Sequence, residues 1–166
     1  LTAGLFAFSI SLMVPAPAAN AASTLEEVKA RGALVVGMRS DVPPFGFVDE
    51  KGEQTGIDLQ IANYIAKELQ VPLQIQQITA KTRIPLLLNG TIDYVPGITK
   101  SGERDETIDF SLTYLETGNL FLVRKGSGIS SFENLHGKNV ATVQGTPYID
   151  MLKTRLQDFT TTTFQE

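Results

Sequence analysis

The stretch IDLQIANYIAKELQVPLQIQQITAKTRIPLLLN, residues 57–89, contains the alternation of elements that decides the fold. Apolar residues recur every four positions from Ile57 onward, which predicts an amphipathic helix ended by the region of Pro72. Residues 73–78 then alternate apolar and polar side chains, as a strand does, and residues 82–89 predict a second, shorter helix. Helices alternating with strands are typical of α/β proteins with a parallel sheet.

The flanking sequence continues this alternation in both directions. The further predicted elements are a helix closed by Gly32, strands at 33–38, 91–99, 120–125 and 139–144, one helical turn at 131–138 and a helix after Gly145. Two α/β lobes joined near residues 112–120 fit this order better than one sheet. An incomplete sheet with an open edge is hard to stabilise, so we expect the natural protein to continue past Glu166.

The amino-terminal segment predicts export. Residues 1–21 carry no charge, and residues 19–21 have the small-x-small form of a signal-peptidase site, so we predict a partial signal peptide with cleavage at its end. A transmembrane helix is the competing interpretation, but the apolar core at 5–14 is too short to span a bilayer. We therefore expect a first lobe at 22–116, a hinge and the start of a second lobe at 117–166, and a periplasmic or extracytoplasmic location.

Composition narrows the classes of function. The 14 basic and 18 acidic residues give a net charge of −4, and they form no basic stripe, which argues against a nucleic-acid partner. The chain has no cysteine and one histidine, His136, so it cannot form a disulfide, a thiolate metal site or a multi-histidine site. We expect neither a metal nor a cofactor.

Arg104 lies where a predicted strand end meets a predicted helix start. The strand at 91–99 ends in Gly97 and Thr99, and Ser101 is a suitable N-cap for a helix with Arg104 at its third position. Free N–H groups, the helix dipole and a guanidinium all favour an anion at such a carboxyl end. The alternative pairs Arg104 with its acidic neighbours in a solvated surface cluster.

Three further polar residues occupy similar positions. Thr146, in the Gly-Thr-Pro turn at 145–147, follows a predicted strand and could cap the next helix, although an ordinary strand-to-helix turn is the alternative. Arg39 follows the buried strand 33–38, and Arg83 stands at the start of the helix in 82–89. An arginine at such an edge can also extend to water along its aliphatic stem, and this alternative stays open for both.

These motifs together resemble the periplasmic amino-acid-binding proteins of ABC importers, the family-3 solute-binding proteins. The likeness covers about residues 24–152. It rests on PPFGF (43–47), GEQTGIDLQIANYIAKEL (52–69), GITKSGERDETIDFS (97–111) and LVRKGSGISSFENLHGKNVATVQGT (122–146). Within the family, RSDVPPF (39–45) and KTRIPLLLNGTIDY (81–94) look most like the glutamate/aspartate binders.

The resemblance implies an α/β fold of the two-lobed type II clamp that closes on one free amino acid, with the second lobe incomplete in this chain. It implies a non-catalytic monomer that delivers its ligand to the membrane permease of an ABC importer. Arg104 would grip the α-carboxylate, and Thr99, the backbone at Gly97 and Thr146 would complete its shell.

The resemblance also implies an acidic ligand. Arg39 and Arg83 fall where acidic-ligand binders place arginines on the side-chain carboxylate. Many relatives that bind other amino acids carry an acidic residue at Arg39 or an aromatic one at Val42, and these departures remove support for a basic ligand. The sequence does not separate glutamate from aspartate or glutamine. An enzyme on the same fold, similar to cyclohexadienyl dehydratases, and the ligand domain of a membrane receptor are the alternatives.

Overall fold

The computed structural model describes residues 24–165, and the predicted signal peptide lies outside the described residues. The helices are α1 (Thr24–Arg31), α2 (Ile57–Glu68), α3 (Arg83–Leu88), α4 (Gly102–Asp105) and α5 (Tyr148–Lys153), with a 3₁₀ turn at Glu133–Leu135. The strands are β1 (Leu34–Met38), β2 (Asp41–Val42), β3 (Gly46–Val48), β4 (Gln54–Thr55), β5 (Leu73–Gln77), β6 (Lys138–Val143) and β7 (Phe159–Phe164).

The first lobe is built on parallel pairing around β1. Strand β5 pairs with β1 on one side, and on the other side Val36 forms a single parallel bridge with Tyr94. The N–H of Gly37 donates to the carbonyl of Tyr94 at 2.9 Å, which fixes that bridge. The carboxyl ends of these segments therefore lie at one edge, where open α/β sheets bind ligands. The small antiparallel sheet β2–β3–β4 is formed by the loops after β1.

Helix α2 packs on this sheet through its predicted apolar side, with its alanines buried most deeply. The helix forms over the predicted residues, but its buried positions are Asp58, Ala62 and Ala66, whereas Ile57 is 39% exposed. The two alanines join an apolar cluster with Val36 and other side chains of β1, because small side chains allow helix and sheet to approach closely. The apolar periodicity therefore located the helix and its packing side correctly, but it did not show that Ile57 is exposed and Asp58 buried.

The second lobe has its own pairing and its own core. Strand β6 pairs in parallel with β7, in register from Lys138 opposite Phe159 to Val143 opposite Phe164. Its apolar cluster consists of Leu135, Val140, Leu152 and Leu156. Strand β7 was not predicted, because its run of four threonines shows no apolar alternation.

Two predicted strands do not form as predicted. The strand predicted at 91–99 is reduced to the single bridge at Tyr94. The strand predicted at 120–125 has no strand pairing within residues 24–165, and Leu120 in it is 94% exposed. A strand requires a hydrogen-bonded neighbour, so β-forming residue types alone do not make one.

Among the residues that the structure describes, no helix is both long and apolar enough to cross a membrane.

Candidate functional site

The carboxyl edge of the first lobe gathers the residues that the sequence singled out. Arg39 directly follows β1, Arg83 begins α3 shortly after β5, and Gly97 follows the segment bridged to β1. Arg104 is the third residue of α4, as predicted, although Ser101 makes no side-chain capping bond. The parallel topology explains why residues far apart in sequence share one edge.

Arg104 joins this edge to the second lobe. Its Nη1 donates to the carbonyl of Thr99 at 2.9 Å, and its Nη2 donates to the carbonyl of Gly145 at 2.9 Å. Burial lowers the pKa of Arg104, yet a guanidinium stays charged at any physiological pH. Asp105, one of the acidic neighbours in the predicted alternative, pairs with Lys100 at 2.8 Å.

Arg83 points to the same carbonyl as Arg104. The residue is 7% exposed, and its Nη2 lies 3.5 Å from the Gly145 oxygen, at the outer limit of a hydrogen bond. Its side chain therefore turns into the protein rather than out to water, which removes the solvent-exposed alternative for this arginine.

Gly145 can make this contact because it lacks a side chain. Its φ is +82°, a left-handed conformation that favours glycine, and a Cβ there would lie 2.4 Å from the carbonyl oxygen of Ala80. The backbones of the two lobes thus touch at Gly145 and Ala80.

Thr146 directs its hydroxyl back toward its own strand. The hydroxyl donates to the carbonyl of Val143 at 2.7 Å and lies 3.1 Å from the hydroxyl of Thr142. Helix α5 starts one residue later than predicted, at Tyr148, and has no side-chain cap. In this arrangement Thr146 is beside the lobe contact but does not cap the helix.

Arg39 forms a two-pronged ion pair within its own loop. Its Nε and Nη2 donate to the two carboxylate oxygens of Asp41, both at 2.8 Å. The hydrogen bond from Arg39 lowers the pKa of Asp41, and the carboxyl is therefore ionised at neutral pH. The backbone carbonyl of Arg39 accepts a bond from the Gln54 amide at 2.8 Å, which holds the start of the loop.

Asp58 and Tyr114 support Gly97, and sequence reasoning missed both. The hydroxyl of Tyr114 accepts the N–H of Gly97 at 2.7 Å. A Cβ at Gly97, whose φ is +66°, would lie 3.2 Å from Oδ2 of Asp58. Burial raises the pKa of Asp58, and burial together with the charge of Asp58 raises the pKa of Tyr114. Because Asp58, Ala62 and Ala66 repeat every four residues, helical spacing could have revealed the buried carboxyl.

The polar groups of this region are of a kind that can bind anions. Two guanidiniums meet at one carbonyl, with a hydroxyl and backbone polar groups nearby, and guanidiniums bind carboxylates with two parallel bonds. Among residues 24–165, no group of three or more His, Cys, Asp or Glu side chains could hold a metal ion.

The chain is similar in sequence to known amino-acid-binding proteins. The glutamine-binding protein of Geobacillus stearothermophilus is 40% identical over 129 residues, covering 74% of the chain and 49% of that protein. The L-glutamate/L-aspartate-binding protein of Pseudomonas aeruginosa is 34% identical over 151 residues, covering 86% and 50%. The chain thus spans about half the length of these curated relatives.

Solved structures show the same fold. The arginine-bound form of truncated ArgBP from T. maritima superposes with a TM-score of 0.74 at 38% identity, covering 83% of this chain and 66% of that one. Its likeness agrees with an α/β type II clamp in which the second lobe is incomplete. The family model of bacterial extracellular solute-binding proteins, family 3, matches residues 34–165. The chain therefore belongs to the bacterial extracellular solute-binding proteins of family 3.

Proposed function

We propose that this chain captures a free amino acid outside the cytoplasm and delivers it to the permease of an ABC importer. The observation that carries the proposal is the position of Arg104, whose guanidinium bonds to the carbonyl of Thr99 in the first lobe and to that of Gly145 in the second. A cation held between two lobes is suited to an α-carboxylate, the group that all amino acids share. The relatives of Geobacillus and Pseudomonas are named as amino-acid-binding proteins, which supports the same ligand class.

Binding requires an exchange of acceptors at Arg104. A ligand carboxylate would replace the neutral carbonyl of Gly145, and a charged acceptor forms the stronger bond. Thr99, the backbone at Gly97 and the hydroxyl of Thr146 would complete the shell around it. The Gly145 carbonyl would have to leave Arg104, and the hydroxyl of Thr146 would rotate away from its bond to Val143.

We propose an acidic side chain for the ligand, that of glutamate or aspartate. Buried Arg83 brings a positive charge to within 3.5 Å of the same carbonyl, and Arg39 lies at the same sheet edge. The Pseudomonas relative, named for glutamate and aspartate, supports this preference. The competing ligands are glutamine, for which the Geobacillus relative is named, and arginine, which is bound in the ArgBP structure. We propose that the protein works as a monomer, needs no cofactor and catalyses no reaction.

Titration calorimetry of the full-length protein against a panel of amino acids tests this function. The expected result is submicromolar binding of glutamate or aspartate, weaker binding of glutamine and no comparable binding of amines that lack an α-carboxylate. Failure of every amino acid to bind would overturn the proposed function. Tight binding of arginine with none of glutamate would keep amino-acid capture and overturn the acidic preference.

A further inference from the structure

The ion pair between Arg39 and Asp41 is built into the loop after β1. Both bonds of the pair are 2.8 Å long, and the fork of the guanidinium meets both carboxylate oxygens. Asp41 begins β2 and pairs with Phe47 of β3, and the Arg39 carbonyl is held by Gln54. Because the backbone is fixed at both residues, this pair loses less side-chain freedom than a pair on a mobile loop.

The pair changes the charge that Arg39 can present to a ligand. The Arg39 side chain is 16% exposed and that of Asp41 is 51% exposed, so the cation lies inward and the carboxylate lies toward solvent. An ionised carboxylate that meets a guanidinium cancels most of its field at a distance. Asp41 therefore reduces the positive charge that Arg39 contributes at the sheet edge.

We propose that Asp41 is a specificity-determining residue: by pairing with Arg39, it limits the positive charge offered to the ligand side chain and so sets the balance between anionic, neutral and cationic amino acids. This inference rests on the proposed function, because it concerns the side-chain end of the same site. Asp41 acts through Arg39 and does not itself touch the ligand. When Arg39 is paired with Asp41, it acts on a ligand side chain as a polar hydrogen-bond donor more than as an isolated cation. The same site could therefore accept an amide as well as a carboxylate.

The test is Asp41→Asn in the full-length protein, measured by calorimetry with glutamate, glutamine and arginine. Asparagine retains an acceptor oxygen for Arg39 and removes only the charge. The affinity for glutamate relative to glutamine should rise about fivefold, and the affinity for arginine should fall, since only the charge seen by the ligand side chain has changed. Glu50→Gln, which removes the same charge at an exposed position of the same lobe, should leave the ratio within twofold.

Two further variants assign the effect to the pair. In an Arg39→Gln background, Asp41→Asn should shift the ratio less, because only the direct field of the carboxylate remains and its hold on Arg39 is gone. Asp41→Glu, which keeps the charge, should stay near the wild-type ratio.

The possible outcomes distinguish a failure of this inference from a failure of the proposed function. An unchanged ratio of glutamate to glutamine, or an equal loss of all three ligands, would overturn the role of Asp41 while leaving amino-acid capture intact. A wild-type protein that binds none of the three would overturn the proposed function and this inference with it.

Discussion

Arg104 and Gly145 belong to different lobes, and a hydrogen bond of 2.9 Å joins the Nη2 of the first to the carbonyl oxygen of the second. The same oxygen lies 3.5 Å from Nη2 of Arg83. One backbone carbonyl therefore stands where two cations converge, and the α-carboxylate and side-chain carboxylate of the proposed ligand would each compete with it for one of them.

Replacing Arg104 should weaken the binding of every amino acid alike. Arg104→Met removes the proposed partner of the α-carboxylate, and an unpaired buried charge costs roughly 2–5 kcal/mol. Calorimetry with glutamate and glutamine should show equal losses of more than about thirtyfold. Arg124→Met, at an exposed arginine, is the matched control. An Arg104→Met protein that keeps its affinity within threefold would place the anchor elsewhere.

Arg83→Gln should discriminate between ligands. Glutamate brings a second carboxylate and glutamine does not, so glutamate should lose about 1–3 kcal/mol more when the buried guanidinium is removed. Competition binding with the two ligands measures the difference. Lys81→Gln removes an exposed cation two residues away and should leave the ratio unchanged. Equal losses for both ligands would mean that Arg83 only holds α3 in place.

Gly145→Ala, compared with a control glycine, should distinguish the effect of backbone strain from the effect of a disturbed contact between the lobes. The left-handed φ alone costs about 1 kcal/mol, and the added Cβ would also collide with the carbonyl of Ala80 at 2.4 Å. We expect weaker binding of all amino acids, measured by calorimetry. Gly137→Ala is the control, because its φ is also positive, +66°, while its Cβ would meet nothing within 4 Å. It should lower stability by about the same strain and leave affinity unchanged, and equal effects of the two variants on affinity would contradict this account.

Tyr114→Phe should loosen the turn at Gly97. The hydroxyl that accepts the Gly97 N–H would be lost, at a cost of about 1 kcal/mol, or about fivefold in affinity for every amino acid. Tyr64→Phe, at a 65% exposed tyrosine of α2, should have no effect on binding. If the Tyr114 variant bound glutamate as well as wild type does, the hydrogen bond would be irrelevant to the site.

Asp58→Asn should change how stability depends on pH. Burial raises the folded-state pKa of Asp58 above 3.8, so its ionisation in the folded state is unfavourable. This cost is absent below pH 3.8, the ordinary pKa of the carboxyl. It grows as the pH rises from there to the folded-state pKa and is constant above it. The variant should therefore be more stable than wild type at pH 7, by about 1.4 kcal/mol per unit of pKa elevation, and the gap should close as the pH falls toward 3.8.

Urea unfolding at several pH values measures this gap. Asp109→Asn, at an exposed aspartate, should show no such trend. A gap between Asp58→Asn and wild type that does not vary with pH would exclude the carboxylate charge as its cause.

The sequence predicted most of the elements and the position of Arg104, because apolar periodicity, a helix-start signal and strand order are local properties. It did not predict that residues 120–125 lack a partner or that α2 buries Asp58. Strand pairing and the rotation of a helix are decided by the surrounding structure. The pairing of Arg39 with Asp41 likewise depends on the direction of the loop, which β2 and β3 set together.

The separate apolar clusters of the two lobes have a consequence for the populations of open and closed protein. Hydrogen bonds from Arg104 and Arg83, rather than a shared apolar core, connect the lobes at Gly145. Each bond from a charged donor contributes about 1.5–3 kcal/mol, so these contacts stabilise the joined lobes by only a few kcal/mol. The fraction of protein already in the competent state multiplies the apparent affinity for every ligand. Substitutions far from the proposed site could therefore change the affinity for all ligands of the proposed function without changing their order.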